Sequence, residues 1–464
     1  MFTSILNTLS NCFKIPELKS RILFTLLVLG ICRLTSLIPC PGLDGTALAN
    51  FLESAAGKNA GGGILGMYSM FTGGGFEHCA IGSLGIMPYI SATIIIQLLQ
   101  AVIPTLSKLA REEGGRSKLI QYGRVGTLFL CLAQGLVMAV GWEHAGAVFP
   151  GFTQQLVRTD LYPLWWYRIQ TTFILTTGTI LLMWLGEQIT DRGIGNGISL
   201  VITIGILARL PAAGQGLVDM FLTPGALGER RYNLFHLIAL LLLLFAVIAC
   251  VVAVTQAERK IPVQYAQRVV GRKMYSGGSS FMPLRVNYSG VMPVIFASAI
   301  LMFPSIILRF LGRTYPNMKV FDELANELQR GSLLYLALYG GMILFFSYFW
   351  VATQFNELQI SDDMKKSGGY IPGVRPGQAT SNYLHRTMSR ITLAGAIFLT
   401  VIAIIPIILG NWMSIPTNVS QFFGGTSLLI IVGVMLDTMR QMESHLLMRH
   451  YDGFLKKGRL KGRF

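Results

Sequence analysis

Residues Tyr232 to Ala257 read YNLFHLIALLLLLFAVIACVVAVTQA, and none of them is Asp, Glu, Lys or Arg. A helix rises 1.5 Å per residue, so about 20 apolar residues cross a hydrocarbon core of about 30 Å. This stretch is long enough to span, and Gly331 to Asn356 is a second uncharged run of the same kind. The rest of the 464 residues agrees, being 52% hydrophobic and 13% charged. A typical soluble domain is about 25% charged, so composition argues against an ordinary soluble enzyme. Apolar content this high also excludes a disordered chain. An integral membrane protein is expected.

Outward from that stretch, uncharged blocks mark ten candidate spans near 22–38, 82–104, 122–142, 169–186, 194–211, 234–255, 288–311, 332–353, 391–410 and 419–437. The first is the shortest, with an apolar run from Ile22 to Cys32 before Arg33. No small-x-small cleavage site follows, so it reads as an uncleaved span whose Arg33 reaches toward the headgroups. An even count puts both termini on one side of the membrane. That side carries 26 of the 38 Lys and Arg residues, the other side carries 8, and four sit in or at the ends of spans. The excess places the termini in the cytoplasm. A net charge of +16 would suggest nucleic-acid binding in a soluble protein, but here topology accounts for most of it.

Several chemistries are not expected. The six cysteines form no CxxC pair, which argues against zinc and against a disulfide framework. No GxxxxGK[ST] pattern occurs, so the chain is not expected to hydrolyse nucleotide or to carry a cofactor. Arg192-Gly193-Ile194-Gly195-Asn196-Gly197 looks like a dinucleotide fingerprint, but no strand precedes it and a span follows.

Two short matches recur between the halves of the chain. Gly85-Ile86-Met87-Pro88-Tyr89-Ile90-Ser91-Ala92 pairs with Gly290-Val291-Met292-Pro293-Val294-Ile295-Phe296-Ala297, and Gly197-Ile198-Ser199-Leu200-Val201-Ile202 pairs with Gly425-Thr426-Ser427-Leu428-Leu429-Ile430. They fall on spans two and seven, and five and ten. With five spans per half, paired spans run in opposite directions, which is an inverted repeat with its functional site where the halves meet. The fold expected is an all-α membrane protein of ten transmembrane helices in two inverted five-helix halves around a central pore, residues 1–215 and 232–464.

The repeated segments hold no charged side chain, so no proton relay or ring of like charge is visible. A gated pore suits this interior better than an ion-coupled carrier. An inverted-repeat transporter for a small solute is the alternative, and a non-conducting scaffold is a third class. Triple glycines at 61–63 and 73–75 flank the apolar Ile64 to Phe71, so a short piece between hinges is expected there. The loops 256–287 and 354–390 exceed ordinary connections. They are expected in the cytoplasm as docking ground for a large partner, with Pro372-Gly373-Val374-Arg375-Pro376-Gly377 forming a turn that presents one Arg.

The chain resembles the SecY family, the central subunit of the bacterial protein-conducting channel. The resemblance rests on Leu84 to Ala92, Met183 to Thr190, Arg192 to Ser199, Ile371 to Gly377 and Phe423 to Ile430. It implies a clamshell whose pore is ringed by Ile86, Ile90, Ile198, Ile202, Ile295 and Ile430. It implies a plug at about 61–71 that includes Ile64, Leu65, Met67, Met70 and Phe71, and a lateral gate between spans two, three, seven and eight. It further implies docking of motor and ribosome at Arg259, Lys260, Arg268 and Arg375. The partners implied are SecE, SecG, the SecA motor ATPase, the translating ribosome, unfolded preproteins and lipid. The place implied is the bacterial inner membrane, with ATP hydrolysis left to the motor.

Overall fold

The computed structural model describes residues 15–56, 68–69, 71–112, 114–145, 154–158, 163–222, 234–265, 268–270, 273–275, 279–314, 319–328, 331–412, 419 and 426–457. In chain order the helices are α1 (Pro16–Thr35), α2 (Gly45–Ala56), α3 (Met87–Val102), α4 (Pro104–Arg111), α5 (Gly115–Glu143), α6 (Leu164–Arg192), α7 (Gly197–Leu207), α8 (Leu210–Leu222) and α9 (Leu234–Gln256). Strands β1 (Glu258–Tyr265), β2 (Arg268–Val270), β3 (Lys273–Tyr275) and β4 (Ser279–Arg285) follow. Then come α10 (Met292–Thr314), α11 (Lys319–Glu327), α12 (Leu333–Gln354), α13 (Glu357–Ser367), β5 (Gly369–Tyr370), α14 (Gln378–Trp412) and α15 (Thr426–Lys457).

Among the described residues, six helices are long and apolar enough to cross a membrane, and the α3–α4 pair makes a seventh if it counts as one span. The six lie on the expected spans three, four, five, six, eight and nine. Helices α1, α10 and α15 lie on spans one, seven and ten. The expected span 82–104 holds α3 and ends at a sharp bend, where α3 and α4 meet at 106°. Ile103 precedes Pro104, which pushes it out of helical conformation to φ −93° and ψ 113°, and Pro104 then starts the next helix.

The expectation of an all-α protein needs correction. The stretch 256–287 folds as two antiparallel pairs, β1 with β4 and β2 with β3. The strand β1 takes a second partner from the other long loop, Gln264 opposite Tyr370 and Tyr265 opposite Gly369, so the sheet runs β4-β1-β5. Ile261 and Val263 turn inward while their neighbours face out, the alternation of a half-buried strand. Ile261 and Leu284 share a core with Val351, Phe355, Leu384 and Met388 from α12 and α14. Much of 354–390 is likewise helical. Asn356 caps α13 by accepting from the Gln359 amide at 3.2 Å, and Gly368 ends that helix at φ +74°.

The repeated segments share a local design. Gly85 and Gly290 both hold left-handed backbone, φ +58° and +63°, a conformation that a Cβ would penalise. In each case Met then begins a helix with Pro in its first turn. In the second pair, α7 starts at Gly197, capped by Asn196, and α15 starts at Thr426.

Candidate functional site

The site is built where these helix starts converge. Ile86, Ile90, Ile202, Ile295 and Ile430 are all buried, between 0% and 4% exposed, and belong to a single apolar cluster. Ile198 is half-buried and packs against the same cluster. Ile86 just before α3 and residues of α3, α7, α10 and α15 thus place five of the six expected ring residues in one buried cluster, with the sixth at its margin. Ile is stiff, bulky and unable to hydrogen-bond, which suits an apolar constriction that disfavours a water column.

Directly beside the ring lies the end of the expected plug. Phe71 is 4% exposed and part of the same cluster. Ile64, Leu65, Met67 and Met70 lie outside the described residues. A cavity of about 20 Å³ is lined by Arg33, Phe71, Thr72, Ile86, Val201 and Gly205, room for about one water. The second glycine triplet is less a free hinge than a tight turn. Gly73 takes φ +63° and packs so closely on Gly205 of α7 that a Cβ there would stand 2.9 Å from the Gly205 Cα. The turn is closed by Gly74 N–H donating to the Ser69 carbonyl at 2.9 Å and by the Ser83 hydroxyl donating to the Gly75 carbonyl at 2.8 Å.

Charge gathers on this turn. Arg33 was expected to reach toward headgroups, but its Nη1 donates to the Gly73 carbonyl, because a half-buried guanidinium needs an acceptor more than the apolar exterior can supply. Arg209, just beyond α7, stands 2.5 Å from Glu77, which also accepts from the Ser69 hydroxyl at 2.8 Å. Sequence reading left Glu77 aside. The signal for it was an acid lying two residues after a glycine triplet.

The basic residues expected to dock partners fall on one braced platform and a separate hairpin. Arg259 and Lys260 stand exposed on β1, with the Lys260 ammonium 3.5 Å from Glu258. Arg375 is exposed in a turn closed by Val374 N–H donating to the Ile371 carbonyl at 3.0 Å. The Thr380 hydroxyl donates to the Arg375 carbonyl at 2.9 Å, and Gly373 and Gly377 hold φ +82° and +102°. Since β5 pairs with β1, Arg375 and the Arg259–Lys260 pair belong to one structure. Arg268 lies on β2, in the other sheet. Among the described residues, no group of three or more His, Cys, Asp or Glu is placed to hold a metal.

Comparison with known proteins fits this geometry. The SecY family profile matches residues 80–439. The chain belongs to the SecY family. A protein translocase subunit SecY of Chlamydia trachomatis is 43% identical over 460 residues, covering 98% of this chain and 99% of the relative. A solved structure described as that of a protein conducting channel aligns with TM-score 0.61 at 19% identity, over 95% of this chain and 94% of the other. Sec61 in a canine ribosome-channel complex from the endoplasmic reticulum aligns with TM-score 0.57 at 18% identity, over 95% and 94%. These two likenesses bear on the fold alone. This SecY-family chain is a multi-pass membrane protein, and family membership favours the channel reading over the solute transporter.

Proposed function

We propose that this chain is the channel subunit of a protein translocase, conducting unfolded secretory polypeptides across the membrane and releasing membrane segments sideways into lipid. The observation that supports the reading is the burial of Ile86, Ile90, Ile202, Ile295 and Ile430, from four separate parts of the chain, in one apolar cluster that also takes in Phe71. Such a site offers no group for chemistry and no charge for binding a small ion. It seals, and it can yield to a chain. The protein is a channel subunit and not an enzyme, so the driving energy comes from a partner.

The finer arrangement follows the family pattern: ten spans in two inverted halves, 1–215 and 232–464, with both termini in the cytoplasm of a bacterium and the channel in its inner membrane. SecE and SecG are the companion subunits. SecA and the translating ribosome dock on the sheet β4-β1-β5, the hairpin β2-β3 and the Arg375 turn.

The test is reconstitution of the chain with SecE and SecG in liposomes. Addition of SecA and ATP should bring a preprotein into a protease-protected state, with no uptake of radiolabelled small solutes. Solute uptake without preprotein protection would overturn the reading. Arg375→Glu should leave insertion and SecE pairing intact while abolishing motor-driven translocation, because the exposed turn projects a cation that the fold does not need. A reporter fused after Arg375 should be active only in its cytoplasm-requiring form.

A further inference from the structure

We propose that the Arg209–Glu77 ion pair, backed by Arg33, is a latch that holds the turn after the plug against α7 in the idle channel. The proposal rests on the channel reading above. Glu77 is a single carboxylate facing a site to which two guanidinium groups come. Arg33 reaches the Gly73 carbonyl, and Arg209 lies beside Gly74, its Nη2 3.7 Å from where a Cβ would stand. Arg33 and Arg209 thus come to the adjacent glycines Gly73 and Gly74, and Glu77 offsets the repulsion of their like charges.

The side chains of Arg209 and Glu77 are only 25% and 21% exposed, so the pair is partly withdrawn from solvent and its attraction is less screened than that of a surface pair. The Ser69 hydroxyl orients the carboxylate from the plug side. The Ser36 hydroxyl donates to the Thr72 carbonyl at 3.4 Å from the end of α1. The turn therefore touches α1 and the end of α7 through polar contacts, while Phe71 enters the apolar ring cluster. Any motion that lifts Phe71 from the ring must part Glu77 from Arg209 or drag Arg209 with it.

The pair is suited to repeated opening. Apolar packing alone would let the turn settle in several neighbouring positions, whereas the Arg209–Glu77 pair and the Arg33 bond to the Gly73 carbonyl fix it at two points. Once parted, both ions can be hydrated, so the open state is reachable. Arg209 and Glu77 are positioning residues, since they act through the segment that bears Phe71.

The measurement is single-channel current in planar bilayers without preprotein, using the chain purified with its partner subunits. Glu77→Gln and Arg209→Gln should each raise the fraction of time spent conducting, by about fivefold for the loss of one partly withdrawn ion pair. Glu77→Gln should leak more, because it leaves Arg33 and Arg209 facing each other without a carboxylate. The exchanged pair, Glu77→Arg with Arg209→Glu, should return idle current most of the way to wild type. A purely structural pair would lower the melting temperature and leave idle current unchanged. If the single variants stay tight while still translocating preprotein, the latch is wrong and the channel reading stands. If the wild-type complex conducts no preprotein, both fall. If the single variants are degraded, the exchanged pair decides: tight supports the latch, leaky overturns it.

Discussion

Two pairs of helices in this molecule are joined by opposite means. Helices α5 and α6 are fastened at both ends by forked ion pairs, Arg124 on Glu187 at 3.0 and 2.8 Å and Arg168 on Glu143 at 2.9 Å twice. Helices α3 and α10 meet through the apolar ring cluster, with no charged residue from Met87 to Val102 or from Met292 to Leu308. A forked pair fixes distance and angle together. An apolar contact fixes neither, and its surfaces are as content against lipid or a passing apolar segment as against each other. The difference separates what must stay rigid from what must part. Opening the α3–α10 seam strands no buried charge, whereas opening the α5–α6 seam would break two pairs at once.

The comparison breaks most visibly if the bare seam is made polar. Ile90→Asn with Ile295→Asn should give idle conductance about tenfold or more above wild type, because polar groups let water wet the constriction. Ile→Leu at both sites should keep it tight. A tight Asn double variant at normal abundance would show that these residues are ordinary packing. A smaller effect is expected from Gly197→Ala, which tests how closely α6 and α7 must approach. Its Cβ would collide with the Gly186 carbonyl, so the variant should lose about 1–3 kcal/mol of stability in a denaturation series. The smallest effect belongs to Arg124→Ala. Arg124 is 47% exposed, so screening limits the loss to about 0.5 kcal/mol, with no change in idle current. A leak from Arg124→Ala would mean that the α5–α6 fastening also guards the seal, and the contrast between the two seams would fail.

Six of the ten expected spans were legible in the sequence because a membrane tolerates few charges, and the helix starts because Gly and Pro act locally at Gly85-Ile86-Met87-Pro88 and its counterpart at Gly290. The six isoleucines were singled out through family resemblance joined to the repeat, and five of them are buried in one apolar cluster with Ile198 packed against it. What stayed hidden depends on distant partners. The β1–β5 pairing joins Gln264 to Tyr370 across 106 positions, and nothing near either residue announces the other. Arg33 and Arg209 were visible as charges near span ends, yet only tertiary contact directs them to Gly73 and Glu77. The bend at Ile103 was signalled by Pro104, which reads equally well as the end of a span.

The helix α14 runs for 35 residues, from the Arg375 turn to Trp412. At 1.5 Å per residue that is about 52 Å, longer than a hydrocarbon core of about 30 Å, so about 20 Å stands clear of the membrane. The sheet β4-β1-β5 grips the start of this helix through Ile261, Leu284, Leu384 and Met388. A rod gripped at one end and embedded along the rest works as a lever. A tilt of about 5° imposed on the platform would carry the far end about 4–5 Å, close to one helical turn. Any push on the sheet would thereby be felt at the far end of the helix.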